Sequence, residues 1–394
     1  MAGMKLADRM ARLGTESAFE VLARARALEA AGVDVLHLEI GEPDAATPAH
    51  IVTAGQEALA RGLTHYVPAP GTPELREAVA AFLERTGRLR TTPDRVVVTP
   101  GAKPIMFFTI LALCQPGDEV LYPDPGFPMY ASIAAFAGAR PVPVPLREAN
   151  QFRMDPAELA SLVTDRTRLV ILNSPHNPCG SGLTSDDVEA IAEVAVARDL
   201  VVLTDEVYWA IRYGGGHHPS VLDVDGMAER TVLLDGWSKT FAMTGWRLGF
   251  GVLPAPLVEP VTRLVVNSVS CTAAFSQHAA LAALEGPWAP VEAMVAELRE
   301  RRDVVVAGLN AIDGITCQEP AGAFYAFPRV AGLGLPAAEL ADRLLADAGV
   351  ACLPGTAFGA HGEGFLRLSY ATAAAELRRG LERIGRFTAD LPGR

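Results

Sequence analysis

At 394 residues the chain is too long for one simple core, and two domains sharing a cleft are expected. Half of its residues are hydrophobic and a fifth are charged, which excludes a disordered chain. The net charge of −12 excludes the basic footprint of a nucleic-acid or membrane-surface binder. The five scattered cysteines, Cys114, Cys179, Cys271, Cys317 and Cys352, form no metal-like pair and read as reduced thiols of a cytoplasmic protein. The opening MAGMKLADRMARLG has no long apolar stretch, so no signal peptide is expected, and no apolar run approaches membrane-spanning length.

In chain order, residues 17–31 carry apolar side chains at Ala18, Val21, Leu22, Ala25 and Leu28 and stop at Gly32, the spacing of a helix. Residues 35–40 form a short extended run closed by the turn Gly41-Glu42-Pro43-Asp44. Residues 95–99 are strand-like, and the segment at Gly101 opens a helix. Four more short apolar runs follow at 119–122, 168–172, 200–203 and 230–234. Runs of this kind are buried parallel strands, and their alternation with helices predicts an α/β sheet covered on both faces. Residues 289–310 read as a long helix with Glu297, Arg299, Glu300, Arg301, Arg302 and Asp303 on a solvated face. Strand candidates at 323–328, 350–353 and 364–369 and a last helix from about Ala373 complete a smaller α+β part. The predicted division is a large domain at 48–288 and a small domain made of 1–47 and 289–394.

Ligands in open α/β sheets bind beyond the carboxyl ends of the strands, so the residues after each run carry the chemistry. The first run is followed by Thr99-Pro-Gly-Ala-Lys103, a glycine turn at a helix N-terminus that offers free N–H groups to a phosphate. The run ending at Leu172 leads into Asn173-Ser-Pro-His-Asn-Pro, a rigid loop that holds Asn177; taken alone, Asn177 reads more readily as an Asx-turn residue than as a ligand. Asp205 ends another run. An acid there is costly unless paired, and an N-cap role competes. Lys239 follows the last run among Trp237, Phe241, Met243 and Trp246, surroundings that desolvate an amine and make it nucleophilic. Arg247 stands eight residues on and can fork onto a phosphate. Of the eight histidines, His37, His65, His176, His217, His218, His278 and His361 show no metal spacing and are expected on the surface or in loops.

Taken together and in this order, Gly101-Ala-Lys103, Asn173-Ser-Pro-His-Asn-Pro, Asp205-Glu-Val-Tyr208, Ser238-Lys239 and Thr244-Gly-Trp-Arg247 resemble the motif set of class I/II aminotransferases of pyridoxal-phosphate fold type I. The resemblance runs from Glu39-Ile-Gly-Glu-Pro-Asp44 to Phe365-Leu-Arg-Leu-Ser-Tyr-Ala371. It implies a homodimer with active sites at the subunit interface. It implies pyridoxal 5′-phosphate as cofactor, in Schiff-base linkage to Lys239, and a ping-pong transfer of the amino group of an L-amino acid to a 2-oxo acid through aldimine and ketimine stages. By the same resemblance Asp205 would hold the pyridine N–H, and Asn177 and Tyr208 would bond the ring oxygen. Phe127 would stack on the ring, and Gly101, Ala102, Lys103, Ser238 and Arg247 would surround the phosphate side. Tyr66 would reach the phosphate of the neighbouring subunit. Arg367, with backbone near Gly41 and with Asn177, would clamp the substrate carboxylate. Gly236 departs from the pattern, because relatives often carry a second hydroxyl there.

The substrate side chain is less legible. In an aspartate-acting subgroup that the chain resembles, a lysine at the place of Lys103 meets a distal carboxylate. Here Glu16 and Ala18 stand where that subgroup has small polar residues, and Glu16 would repel a second carboxylate. Phe19 and Phe275 suit an apolar or aromatic group. A neutral, aromatic or acidic donor with 2-oxoglutarate or pyruvate as acceptor is the expectation, and C–S lyase chemistry on the same scaffold is the alternative. An effector-sensing transcription regulator would need a basic DNA-binding module, for which the stretch before Gly41 is too short.

Overall fold

A computed structural model describes residues 4–391; residues 1–3 and 392–394, the outer ends of the expected small domain, lie outside it. The seven central strands are β2 (Val96–Thr99), β3 (Glu119–Asp124), β4 (Arg140–Pro145), β5 (Thr167–Asn173), β6 (Val201–Asp205), β7 (Thr231–Gly236) and β8 (Gly249–Val252). They lie in the order β2-β8-β7-β6-β5-β3-β4, and β8 is antiparallel to both of its neighbours while the other pairings are parallel. This is the expected α/β fold with a mostly parallel sheet. The short strands β1 (Leu36–His37) and β10 (Val350–Ala351) pair in parallel, and β11 (Leu353–Pro354), β12 (Leu366–Ser369) and β9 (Tyr325–Ala326) form an antiparallel sheet.

Period-two alternation sorts the central strands' side chains onto two faces. Val97, Val120, Leu169, Ile171, Leu203, Val232 and Leu234 enter one apolar cluster with Ile105 and Met106 of the helix after the glycine turn. Val96, Val98 and Leu233 enter a second cluster, and Leu121, Val170, Leu172 and Val202 a third. Both faces are therefore dry, which is why these strands read as continuous apolar runs. A separate cluster unites Leu36, Leu298, Val305, Phe324, Leu344, Val350, Leu366 and Leu377 around the smaller sheets. Among the described residues no helix is long and apolar enough to cross a membrane.

Two central strands escape sequence reading. β4 is Arg-Pro-Val-Pro-Val-Pro, a composition that argues against a strand. It survives because it is an edge strand, where a missing N–H can face outward. β8 is Gly-Phe-Gly-Val, and its glycines are there for contact: a Cβ on Gly249 would lie 2.3 Å from Ala102 N, and one on Gly251 would lie 2.7 Å from Ile105 Cγ2. The helix Ala289–Asn310 matches its predicted span, yet Arg301 is not on a solvated face. It is buried, and its guanidinium bonds Asp44 at 2.7 Å and Glu297. His176 and His218 do lie in loops but are also buried rather than at the surface.

Gly249 thus fixes how closely β8 approaches the turn 100–102. We predict that Gly249→Ala lowers the stability of the cofactor-free protein by about 1–3 kcal/mol in urea unfolding. Gly182→Ala, whose Cβ would meet only Ala321 Cβ at 3.5 Å, is expected to be nearly neutral.

Candidate active site

The carboxyl ends of β5, β6 and β7 open onto a cavity of about 360 Å³. Of the residues singled out from sequence, Gly41, Ala102, Lys103, Phe127, Asn177, Asp205, Tyr208, Ser238, Lys239, Arg247 and Arg367 line it. Gly101 lies just behind the wall. Tyr66 stands apart at 89% exposure.

Lys239 sits on a single helical turn, Trp237–Thr240, that begins where β7 ends. Trp237 and Thr240 anchor that turn in the core, and Lys239 projects into the cavity. Its Nζ donates to Gly41 O at 2.5 Å and lies 5.9 Å from the Tyr208 ring and 5.8 Å from the Phe324 ring. Burial pushes this amine down to about 8, against the pull of Glu42.

On the neighbouring strand Asp205 is the last residue of β6 and pairs in register with Leu234. Its Oδ2 accepts from Tyr130 Oη at 2.7 Å and its Oδ1 from Val207 N at 3.3 Å. Burial raises the carboxyl to about 6 despite these donors. Asn173 links the two loops: its Nδ2 donates to Asp205 O at 2.9 Å, and its Oδ1 accepts from Asn177 N at 2.9 Å. The hydroxyls of Tyr208 and Tyr325 lie 2.7 Å apart.

Two places in the cavity wall are built for anions. The first is the turn Pro100–Ala102 at the head of the helix Lys103–Leu113. Gly101 has φ +85°, and a Cβ there would lie 2.2 Å from Arg247 Nη2, so guanidinium and turn backbone share one small space. Arg247 donates to Thr244 O at 2.7 Å and forms no ion pair with a carboxylate among the described residues. The second is Arg367, buried between the rings of Tyr325, 4.6 Å away, and Phe358, 5.1 Å away. It bonds Glu39 O and, at 3.5 Å, Asn177 Oδ1, while its Nε has no partner. Burial lowers its pKa, so a carboxylate bound there would relieve a strained charge.

At the mouth, Lys103 forms an ion pair with Glu16 and lies 5.4 Å from the centre of the Phe127 ring. Ala18 and Phe19 complete this wall. Sequence reading missed Tyr130, Tyr325 and Phe358. Tyr130 had only its closeness to Phe127 as a signal, because Phe127 precedes the helix Met129–Ala137 that carries Tyr130. Tyr325 and Phe358 had none, because only the tertiary fold brings their strand and loop beside Arg367.

A family model described as "Aminotransferase class I and II" matches residues 33–384. The chain belongs to this family. It is 44% identical over 359 residues to an aspartate aminotransferase of Pyrococcus abyssi, covering 90% of this chain and 92% of the relative. It is 41% identical to aromatic-amino-acid aminotransferase 2 of Thermococcus litoralis, with 97% of each chain covered. The crystal structure of the aspartate aminotransferase of Rhizobium meliloti superposes with a TM-score of 0.94 at 36% identity, covering 99% of this chain and 100% of that one. The chain is thus a pyridoxal-phosphate-dependent aminotransferase of fold type I, which transfers amino groups between amino acids and 2-oxo acids. The residues present fit that cofactor. A desolvated amine, a buried carboxylate and a cationic turn suited to a phosphate line one cavity, the three functions a phosphorylated pyridine aldehyde needs.

In the cofactor-free protein, modification of Lys239 by an amine reagent should rise with pH to half-maximum near 8, because the neutral amine reacts. Peptide mapping reads this directly. An exposed lysine such as Lys5 serves as the reference, and half-modification of Lys239 only at the reference pH contradicts the desolvated amine.

Proposed function

We propose that this aminotransferase takes a neutral or aromatic L-amino acid as amino donor, admits acidic ones, and returns its cofactor with 2-oxoglutarate or pyruvate. The observation that carries this reading is the Lys103–Glu16 pair at the mouth of the cavity. A cation and an anion that neutralise each other, beside Phe127, Phe19 and Ala18, favour an apolar or aromatic side chain. A second carboxylate must compete with Glu16 for Lys103.

Pyridoxal phosphate, when bound, supplies an electron-withdrawing cationic ring that acidifies the Cα–H bond of an amino acid. The chain's residues do the rest. Asp205 would hold the proton on the ring nitrogen, with Tyr130 keeping that carboxylate oriented. Asn177 and Tyr208 would bond the ring oxygen, and Phe127 would cover one ring face. The turn at Gly101 and Ala102, together with Ser238 and Arg247, would bind the phosphate. Arg367, Asn177 and the backbone at Gly41 bind the substrate carboxylate and so fix which Cα bond faces the ring. The Lys239 amine, with its pKa lowered to about 8, would act as the general base that takes the proton from Cα.

The working form is read as a cytoplasmic homodimer of two-domain subunits, with residues 48–288 as the large domain and 1–47 with 289–394 as the small one. Tyr66, aromatic yet 89% exposed, supports the dimer. So does an open cleft beside Arg247, lined by Thr47, Pro100, Trp246 and Phe275, where the Tyr66 of a second copy would enter to reach the phosphate site.

The test is a half-reaction screen of the holoenzyme with single amino acids, followed by absorbance. Phenylalanine, tyrosine and glutamate should each convert the bound cofactor to its amine form. Glu16→Gln should raise kcat/KM for aspartate relative to phenylalanine about tenfold, the size of one ion-pair competitor removed. An unchanged ratio contradicts the role of the pair. Pyruvate and ammonia released from cysteine without any oxo-acid acceptor would replace the transfer reading with lyase chemistry.

A further inference from the structure

Behind the cavity wall lies a second charged cluster that touches neither the cofactor space nor solvent. It begins at the end of the helix Pro73–Arg85. Gly87, at φ +69°, donates to Glu84 O at 3.0 Å, and Arg88 N donates to Leu83 O at 2.9 Å. This pair of bonds is a left-handed helix stop, in which the residue after the glycine turns inward and is usually apolar. Here it is an arginine, and only 3% of Arg88 is exposed.

Its guanidinium bridges two strand ends. Nη1 bonds Asp235 Oδ2 at 2.5 Å on β7, and Nη2 bonds Glu206 Oε2 at 2.8 Å just past β6. The Trp209 ring covers it at 4.2 Å. Each carboxylate is bonded further. Asp235 Oδ1 accepts from Gly236 N at 2.6 Å, and Glu206 Oε1 accepts from Ser220 Oγ at 2.5 Å and Thr204 Oγ1 at 3.1 Å. His218 Nε2 approaches Glu206 Oε2 at 3.5 Å. Burial opposes the charge on Glu206, but His218 and Arg88 hold it down to about 2; burial keeps Asp235 at about 6 even beside Arg88.

A buried ion cluster of this kind is seldom more stabilising than apolar packing of equal volume. Its placement explains it better. Glu206 is the residue after Asp205, and Asp235 stands four residues before Lys239. Three buried carboxylates, Asp205, Glu206 and Asp235, crowd the ends of adjacent strands. Arg88 is the guanidinium among them, with His218 and the phenol of Tyr130 as the other titratable groups in contact.

We propose that Arg88 is a positioning residue of the cofactor site, tying the end of β6 to the end of β7 and setting the spacing and local charge between Asp205 and Lys239. This rests on the roles given above to Asp205 and Lys239. In the absence of Arg88 the remaining carboxylates crowd one another and the two strand ends lose their common clamp.

The test is a pH titration of the visible Schiff-base band of the holoenzyme, with cofactor affinity measured in parallel by equilibrium dialysis. Arg88→Met should move the midpoint up, and Asp235→Asn should move it down, each by about half a pH unit. The double variant should return close to the parent, and Arg88→Lys, which keeps the charge, should stay there. Arg88→Met should also weaken cofactor binding about tenfold or more. Midpoints unmoved, or moved in one direction by both single variants, would overturn the proposal and leave Arg88 a fold-stabilising residue. Where Arg88→Met yields no folded protein, Asp235→Asn decides: a lowered midpoint supports the proposal and an unmoved one overturns it. Lys239→Ala separates the two levels of argument. If the band survives there, the assignment of Lys239 fails; if it vanishes while the other midpoints stay put, only the role of Arg88 fails.

Discussion

The structure depends on keeping an amine and a carboxylate out of water at the ends of two adjacent parallel strands. Asp205 is buried and Lys239 half-buried in the cavity wall, and desolvation drives each toward its neutral form. A carboxyl raised to about 6 and an amine lowered to about 8 are both poised near neutral pH. On the proposed reading, a cationic ring nitrogen would sit beside Asp205 and an aldehyde beside Lys239. The fold supplies this placement cheaply. Parallel strands all end at one edge, and the loops after β5, β6 and β7 meet there without long excursions.

The rest of the site follows from that edge. The glycine turn before the helix Lys103–Leu113 carries the anion cradle, and Arg247 reaches it from the turn before β8. β8 runs antiparallel, which brings Gly249 against Ala102 and pins the cradle to the sheet. Arg367 comes from β12 of a different sheet and is held between two rings over the opposite side of the cavity. The two cationic sites, proposed to take the phosphate and the substrate carboxylate, thus come from separate structural units, with Lys239 bonded to Gly41 between them.

Much of this was legible in sequence because strand ends are punctuated. Each buried run stops at a polar residue that its surroundings cannot ignore, as at Asn173, Asp205 and the stretch leading to Lys239. The ordered motifs then pointed to the family and to most of the cavity wall. What stayed hidden was tertiary. The proline-rich β4 is a strand only because it lies at an edge, and β8 only because its glycines admit a neighbour. Arg301 and His218 looked solvated because a sequence does not show which carboxylate waits opposite a charge. Tyr325 and Phe358 had no local mark at all, since their meaning comes from lying on either side of Arg367.

The central claim is that the Lys239 amine is the group that joins the cofactor. Borohydride reduction of the holoenzyme, followed by digestion and mass spectrometry, tests it most directly. The account predicts one reduced pyridoxyl-phosphate adduct, on the peptide containing Lys239. An adduct on any other lysine, or no adduct from a coloured protein, would contradict it.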